Sequence, residues 1–374
     1  MKICFIAPKA YPLFNPSIEA VYGGAEVQLY QLGKELSNEN QCKVSFMVAD
    51  YGQNEKELID GVEVYKTFNF DDKLYMRLLA FFDVFKKIDA DIYVQRTLTM
   101  QSAIIALYCK IMRKKFVYMV ASDSEVEPSS FFQGKRFQAF IIYLLFRFST
   151  AVIAQNVHQR KILSNIIKSS RLFVLRKGID FSLLAEIEEK RYAAVWVGRC
   201  INVKKPEIFL DLVERNRSQK FLMICPQAKN EEPYFDMIKN RAELINNLNF
   251  IDYTANKDMF SLLALCKIFV ITSEKEGWPQ VVLEAAAMKL PILSYKLDYD
   301  DLISIYKGGV VCHGNFNMFN NIFRELLEDK QAIDFMGNKA YQYVKSKHDI
   351  KKSAGDFLVV VDSICNGKKR CYDA

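Results

Sequence analysis

Residues 268–288 read IFVITSEKEGWPQVVLEAAAM and combine a strand, a polar loop and the start of a helix in one stretch. The apolar and β-branched residues at its start predict a buried strand that ends at Thr272 or Ser273. Pro279 suits the first turn of the following helix, because a missing N–H costs nothing there. A strand followed by a loop and a helix is the repeating unit of parallel α/β sheets.

The same alternation of strand and helix patterns runs through the rest of the chain. Predicted strands lie at 2–7, 43–48, 91–95, 115–120, 150–154 and 172–175, and then at 193–197, 220–225, 249–252, 268–272, 291–294 and 309–312. A junction near 178–191 separates the two series. The sequence therefore predicts an α/β fold of two doubly wound, Rossmann-like domains, 1–177 and 178–374. The last helix has an apolar face, and whether it packs back on the first domain stays open.

Length and composition agree with two domains and indicate the cellular compartment in which the protein resides. The chain has 374 residues, 51% of them hydrophobic, which is enough for two cores. Its nine cysteines are scattered without a CxxC pair, which indicates reduced, mostly buried thiols. The apolar stretch 139–146 is far shorter than the ~20 residues that span a bilayer. We expect a cytoplasmic protein that is at most peripheral on the inner face of the membrane.

Charge is concentrated in one segment of the first predicted domain. Residues 100–177 hold 13 Lys and Arg against 3 Asp and Glu, whereas the whole chain carries a net charge of only +7. This surplus favours an anionic membrane surface or a polyphosphate as partner over nucleic acid. A solvated basic helix face without a special function is the alternative.

The loop within residues 268–288 suits a ligand that contains a pyrophosphate. Backbone N–H groups and the positive end of the helix dipole attract anions at a helix N-terminus. Gly277 lets such a ligand approach the backbone, and Glu276 and Glu284 are spaced to accept hydrogen bonds on opposite sides of it. Two glutamates at this spacing are also common on solvated surfaces, so this segment alone does not decide.

Two other segments have comparable chemistry. Residues 195–206, VWVGRCINVKKP, predict a strand and a loop in which Arg199 and Lys204 would neutralise a diphosphate leaving group. Residues 22–26, YGGAE, open the first long helix, where Gly23 and Gly24 allow close approach of a ligand to the backbone. Taken singly, ordinary surface cations and a plain helix start explain these segments equally well.

Together the three segments resemble the retaining glycosyltransferases of family four, the glycosyl transferases group 1, which have the GT-B fold of two Rossmann-like domains facing across a cleft. The resemblance is specific in 22–26, 197–206 and 268–291. It implies that Arg199 and Lys204 bind the donor phosphates and that Glu276 contacts the donor sugar, these three being the candidate catalytic residues. The further donor-binding positions that it implies are Gly23, Gly24, Lys205 as a substitute for Lys204, Gly277, Trp278, Pro279, and Glu284 at the ribose.

One departure from the family concerns the loop after the strand at 115–120. Many relatives carry a histidine there, whereas this chain reads ASDSEVE at 121–127. We expect Ser122 or Asp123 to take over contact with the acceptor or the sugar, or the loop to be structural. Trp278 occupies the position where the family usually has phenylalanine, which is a conservative change to a larger aromatic ring.

The resemblance implies a retaining, metal-independent glycosyltransferase. It would move a sugar from a UDP- or GDP-sugar, a co-substrate and not a cofactor, to a glycan or lipid-linked glycan in cell-surface polysaccharide biosynthesis. No metal site is expected, since the three histidines lack zinc spacing. Two alternatives stay open: a catalytically silent GT-B scaffold that binds nucleotide-sugar or glycan, and a GT-B sugar epimerase or phosphorylase.

Overall fold

The computed structural model describes the chain except for residues 21, 39–41, 100, 127–135, 187–188, 229, 256–257, 300–301 and 367–374, together with the side chains of 124 and 136–138. The chain forms two compact units. The first contains Met1–Gly178 and the chain from Ile350 onward, and the second contains Ile179–Asp349. Each unit has a central sheet covered by helices, which confirms the predicted α/β class with two Rossmann-like domains.

The sheet of the first unit is parallel apart from one edge strand. Its order is β3-β4-β2-β1-β5-β6-β7-β8, and β3 pairs antiparallel with β4. Because the inner strands are buried on both faces, they read as apolar runs, and for this reason they were predictable from sequence. The strands are β1 (Lys2–Ile6), β2 (Lys43–Val48), β3 (Lys56–Ile59), β4 (Val62–Lys66), β5 (Ile92–Arg96), β6 (Lys115–Met119), β7 (Ala151–Ala154) and β8 (Leu172–Val174).

The hairpin of β3 and β4 was missed by the sequence analysis. Its turn consists of Asp60 and Gly61, which have φ values of 50° and 77°. An Asp-Gly pair with positive φ at both residues is a strong signal for a two-residue hairpin. The turn was therefore detectable, although the strands beside it are short and partly exposed.

Helices cover both faces of the first sheet. They are α1 (Tyr11–Phe14), α2 (Gly24–Asn38), α3 (Leu74–Ile88), α4 (Ser102–Ile111), α5 (Arg136–Phe148) and α6 (Val157–Leu163). Helix α5 buries Ile142, Leu145 and Phe146 but leaves Phe140 and Tyr143 more than half exposed. Among the residues that the structure describes, no helix combines the length and apolar character that crossing a membrane requires.

The last helix, Ile350–Asn366, belongs to the first unit, which answers the question left open for this helix and moves the end of the second unit from 374 to Asp349. This helix, α13 in chain order, buries Ile350, Ala354 and Phe357 in the core that also contains Phe5 of β1. The rings of Phe5 and Phe357 are 6.3 Å apart. Burying this apolar stripe removes it from water, and the core of the first sheet is incomplete without it.

The sheet of the second unit is parallel throughout and has the order β11-β10-β9-β12-β13-β14. Its strands are β9 (Tyr192–Val197), β10 (Phe221–Ile224), β11 (Leu248–Ile251), β12 (Cys266–Ile271), β13 (Ile292–Ser294) and β14 (Gly309–Val311). Its helices are α7 (Pro206–Arg215), α8 (Glu232–Glu243), α9 (Met259–Ala264), α10 (Gln280–Ala287), α11 (Phe316–Glu328) and α12 (Lys330–Lys347); α13 follows.

Candidate functional site

The strand order of the second unit places the loops after β9 and β12 side by side. These strands are neighbours, with Ala194 opposite Ile268 and Trp196 opposite Val270. The chain continues from β9 to β10 on one side and from β12 to β13 on the other. This is the switch point of a doubly wound sheet, where ligands bind beyond the carboxyl ends of the strands. Two segments that were noted separately in the sequence are therefore adjacent in the fold.

Hydrogen bonds tie the two loops together. The Thr272 hydroxyl donates to the carbonyl oxygen of Lys204 at 2.6 Å and accepts from the indole N–H of Trp196 at 2.9 Å. The backbone N–H of Glu274 donates to the carbonyl oxygen of Val203 at 2.9 Å. These bonds fix the two loops relative to each other, so that side chains projecting from them are held in place.

An ion pair between Lys204 and Glu276 joins the loops through their side chains. Lys204 Nζ lies 2.5 Å from Glu276 Oε1, and the side chains are 13% and 20% exposed. The Ser273 hydroxyl donates to the other carboxylate oxygen, Oε2, at 2.8 Å. A charge-assisted hydrogen bond in this partly desolvated setting is stronger than one in open solvent. The lysine and the glutamate are consequently fixed in orientation.

Gly198 makes room for Lys204. A Cβ at this position would lie 2.8 Å from Lys204 Cδ and 3.0 Å from the indole of Trp196. The glycine of the Gly-Arg pair is therefore explained by the packing of the lysine stem against the end of β9.

The other two cations of this loop have different settings. Arg199 is exposed and, among the described residues, takes part in no ion pair. Lys205 has a left-handed backbone with φ of 49°, donates to Asn202 at 2.7 Å and lies 3.7 Å from Glu207. The structure thus pairs Lys204 with Glu276 and directs Lys205 to other partners, so that the two lysines are not interchangeable.

The start of helix α10 differs in detail from the expectation. Pro279 is the N-cap residue, with φ of −64° and ψ of 134°, and therefore precedes the first turn instead of lying in it. An extended N-cap leaves the N–H groups of the following residues at the helix end. Gly277 is half-buried beside it, and Glu284 is buried in the second turn with an interaction partner.

Trp278 belongs to the core of the second unit through its side chain. Its indole is 4% exposed, stacks on Tyr343 at 6.0 Å and lies 5.0 Å from the ring of His348. The expectation of ligand binding at this position therefore rests on the backbone alone. The large ring fixes the loop against the core, while Glu274 and Lys275 before it are exposed and Glu276 pairs with Lys204.

The residues predicted in the first unit have internal partners. The carboxylate of Glu26 accepts from the backbone N–H of Gly23 at 2.9 Å, which is half of a capping box at the start of α2, where Gly24 is the first residue. Asp123 accepts from the amide of Gln159, a fully buried residue of α6, at 2.7 Å. Ser122 precedes the single 3₁₀ turn that contains Asp123.

Two charged residues near that turn were missed. Glu125 accepts from the Tyr118 hydroxyl at 2.9 Å and from the backbone N–H of Ala121 at 3.0 Å, and burial raises the pKa of its carboxyl group. Arg96, the last residue of β5, is 5% exposed. A cation that ends an apolar strand, as in Tyr-Val-Gln-Arg, was the available signal in the sequence.

No cluster of metal ligands accompanies these sites. Among the described residues, no group of three or more His, Cys, Asp or Glu side chains is arranged to hold a metal ion.

The family described as "Glycosyl transferases group 1" matches residues 184–343, which are nearly the whole second unit. The match covers less than half of the chain and lies within the second unit. The match includes the Lys204–Glu276 pair and both loops that carry it.

A curated relative matches over part of its length. The Staphylococcus aureus protein "Capsular polysaccharide biosynthesis glycosyltransferase CapM" is 22% identical over 244 residues, which are 57% of this chain and 62% of that protein. The alignment thus spans less than two thirds of the relative.

Solved structures match over nearly the full chain. The sucrose-phosphate synthase of Thermosynechococcus elongatus has a TM-score of 0.78 at 14% identity and covers 98% of this chain and 100% of its own. Anabaena HepE, in complex with UDP and glucose, has a TM-score of 0.76 at 18% identity and covers 97% and 100%. At these identities the likeness shows the fold, which is GT-B.

Proposed function

We propose that this protein is a glycosyltransferase that uses a nucleotide-sugar donor and acts in polysaccharide biosynthesis. The observation that carries the proposal is the Lys204–Glu276 pair, 2.5 Å apart, at the switch point of a unit that matches the family model of the glycosyl transferases group 1. CapM, whose name places it in capsular polysaccharide biosynthesis, supports a role in polysaccharide biosynthesis.

The second unit would hold the donor. Arg199 and Lys204 lie on the loop after β9 and supply two cations for a diphosphate, and the N–H groups at the start of α10 supply further donors. HepE has been solved with UDP-glucose, which makes a UDP-sugar the first choice. Glu276 would accept hydrogen bonds from the hydroxyls of the sugar, and Glu284 from the ribose.

The proposed reaction proceeds with retention of configuration. An acceptor hydroxyl attacks the anomeric carbon from the face on which the diphosphate leaves, the bond from carbon to phosphate oxygen breaks, and the departing phosphate takes the proton of the acceptor. Arg199 and Lys204 would stabilise the charge that develops on the diphosphate. Their positive charge supplies this without a metal ion, so we propose a metal-independent reaction.

A lipid-linked glycan is the acceptor that the surface of the first unit favours. Helices α4 and α5 expose apolar side chains, Ile104, Leu107, Ile111, Phe140 and Tyr143, between 39% and 68% exposed. Exposed cations lie among them: Lys110, Arg113, Arg147 and Lys168. Apolar residues flanked by cations suit the anionic surface of a membrane, and we propose that the first unit docks there. Gly134 and Lys135, part of the basic sequence noted above, lie outside the described residues.

An epimerase is the second candidate. The UDP-GlcNAc 2-epimerase of Neisseria meningitidis, solved with UDP-GlcNAc, has a TM-score of 0.61 over 96% of this chain. This is lower than the scores of the transferases, and the match of the second unit to the glycosyl transferases group 1 favours transfer.

A panel of UDP- and GDP-sugars tests the proposal. We expect one donor to raise the melting temperature and to release its nucleoside diphosphate slowly in water and faster with a glycan acceptor. Conversion of a UDP-sugar to its epimer without release of UDP would support the second candidate. Binding without turnover under any acceptor condition would indicate a scaffold and contradict both enzymes.

A further inference from the structure

Arg96 is a buried cation at the edge of the first sheet where ligands bind. It is the last residue of β5, which lies between β1 and β6 near the middle of the sheet. Its side chain is 5% exposed, and no other arginine among the described residues is buried. Burial lowers the pKa of the Arg96 guanidinium to about 10, so the group remains cationic at neutral pH.

One edge of this guanidinium has no acceptor. Nε and Nη2 of Arg96 are both buried, and neither has a hydrogen-bond partner among the described residues. These two nitrogens form one of the two edges of the guanidinium whose N–H bonds are parallel, and such an edge can hold a carboxylate or phosphate through two hydrogen bonds. A buried donor without an acceptor is costly, and two on one cationic group call for an explanation.

Other arginines of the chain fill the same edge from within the protein. In Arg77 the two nitrogens donate to the carbonyl oxygens of Asp72 and Phe70. In Arg241 they donate to the carboxylate of Glu214, at 3.1 and 2.8 Å. The missing acceptors at Arg96 are therefore caused by its position in the fold, because arginines at other positions have acceptors for the same two nitrogens.

The nearby acidic groups do not fill the gap. Glu125 and Glu26 act on Arg96 through their charge, yet no ion pair to Arg96 occurs within the described residues. Glu125 instead accepts from Tyr118 and Ala121, and burial raises the pKa of its carboxyl group. The guanidinium is thus surrounded by polar groups that have other partners.

The backbone after Arg96 is strained. Thr97 has φ of 83°, in a region that β-branched residues rarely adopt. Such conformations persist where the surrounding structure requires them, and they concentrate at ligand sites. Among the described residues, the same sheet edge also carries a buried amide oxygen without a donor, Gln155 Oε1, which suits a ligand with hydroxyl groups.

We propose that Arg96 binds an oxyanion of the acceptor substrate through its Nε and Nη2 atoms. The acceptor is then a hydroxylated glycan that bears a carboxylate or a phosphate close to the reacting sugar. The identification of the ligand as the acceptor rests on the proposed glycosyltransferase function. The oxyanion site itself requires only the first unit.

Nuclear magnetic resonance of the full chain labelled with ¹⁵N-arginine tests the site directly. Inorganic phosphate, glucose 1-phosphate and glucuronate are titrated, with glucose as the neutral control. We expect a saturable downfield shift of the Arg96 Nε–H signal with at least one anion and none with glucose. Tighter binding of glucuronate would identify an acidic sugar, and tighter binding of glucose 1-phosphate would identify a phosphorylated acceptor.

Two variants separate the effect of the parallel N–H donors from the effect of the positive charge. Arg96→Lys keeps the charge but lacks the parallel donors, and we expect the dissociation constant of the preferred anion to rise at least tenfold. Arg77→Lys is the matched control, because that edge is already filled, and we expect no change. An unmoved Arg96 signal with every anion, or equal affinity in Arg96→Lys and the wild type, would overturn the proposal.

Binding of UDP to the same samples distinguishes this proposal from the proposed function. Stabilisation by UDP without any anion effect at Arg96 would refute only the oxyanion site. An anion effect at Arg96 in a protein that binds no nucleotide-sugar would refute the transferase and leave the site in place.

Discussion

The candidate ligand-binding cations of the two units differ in their partners. Lys204 of the second unit has a counter-ion 2.5 Å away in Glu276, whereas Arg96 of the first unit has a buried edge without an acceptor among the described residues. An internal counter-ion keeps a lysine charged and oriented while no ligand is present. An open guanidinium edge instead depends on a ligand for its partners. The contrast suggests a donor site organised in advance and an anion site completed by its substrate.

Removing Glu276 is the most severe test of the organised site. Glu276→Ala removes the counter-ion of Lys204 and the proposed contact to the sugar, and we expect turnover to fall by roughly 10²–10³-fold. The fold should stay intact, because Glu276 is partly exposed on a loop. Glu274→Ala is the control, since the structure shows only its backbone bonded across the loops. Turnover within a few-fold of wild type in Glu276→Ala would remove the basis of the site.

Arg199 tests whether the exposed cation of the second unit matters as much as the paired one. We expect Arg199→Ala to lower turnover by about a hundredfold, or about 3 kcal/mol, because it would stabilise charge on the leaving diphosphate. The melting temperature should not change, since the side chain is exposed. Arg217→Ala, also at an exposed position, is the control for loss of one positive charge. Equal effects of the two variants on turnover would contradict the assignment.

The charge surplus of the first unit provides the third test. We expect the double reversal Lys110→Glu and Arg113→Glu to weaken binding to anionic liposomes by at least roughly thirtyfold, since loss of the two cations alone costs about 1 kcal/mol each near the surface. High salt should weaken wild-type binding as well. The control Lys9→Glu with Lys43→Glu alters net charge equally at exposed positions elsewhere. Sedimentation with anionic and neutral vesicles measures both, and equal wild-type partition to the two would argue against docking on anionic lipid.

A smaller effect is expected where the geometry of the ion pair is disturbed and no charge is lost. In Gly198→Ala the new methyl group would lie 2.8 Å from Lys204 Cδ, so the lysine stem must shift, which disturbs its pairing with Glu276. We expect turnover to fall by about tenfold, because a displaced cation stabilises the leaving group less well. Gly355→Ala, where a Cβ meets nothing within contact distance, is the control for the substitution. Unaltered kinetics in Gly198→Ala would show that Lys204 need not occupy this position.

Chelation should have the smallest effect of all. If Arg199 and Lys204 neutralise the diphosphate, treatment with EDTA should leave turnover within about twofold of the untreated enzyme. Activity is measured before and after treatment and again after Mg²⁺ or Mn²⁺ is added back. A strict dependence on the added ion would contradict the role given to the two cations.

The sequence by itself determined the fold class and the candidate ligand-binding loops of the second unit. Each inner strand is a contiguous apolar run, and each of the two loops is a short segment directly after such a run, so local spacing was sufficient. Lys204 and Glu276 were noted as candidates because each lies in one of these loops, shortly after a predicted strand. Their pairing was not predictable, because it depends on β9 and β12 being neighbours in the sheet.

Only the tertiary structure decided the rest. The last helix carries an apolar stripe that fits any core, and its place in the first unit follows from the gap beside β1 that Phe357 fills. Trp278 read as a loop residue, but its ring packs into the core. Arg96 and Glu125 are far apart in sequence and come together through the order of β5 and β6. Sequence patterns report burial and local geometry, whereas the partners of a buried charge are set by strand order, which no single segment encodes.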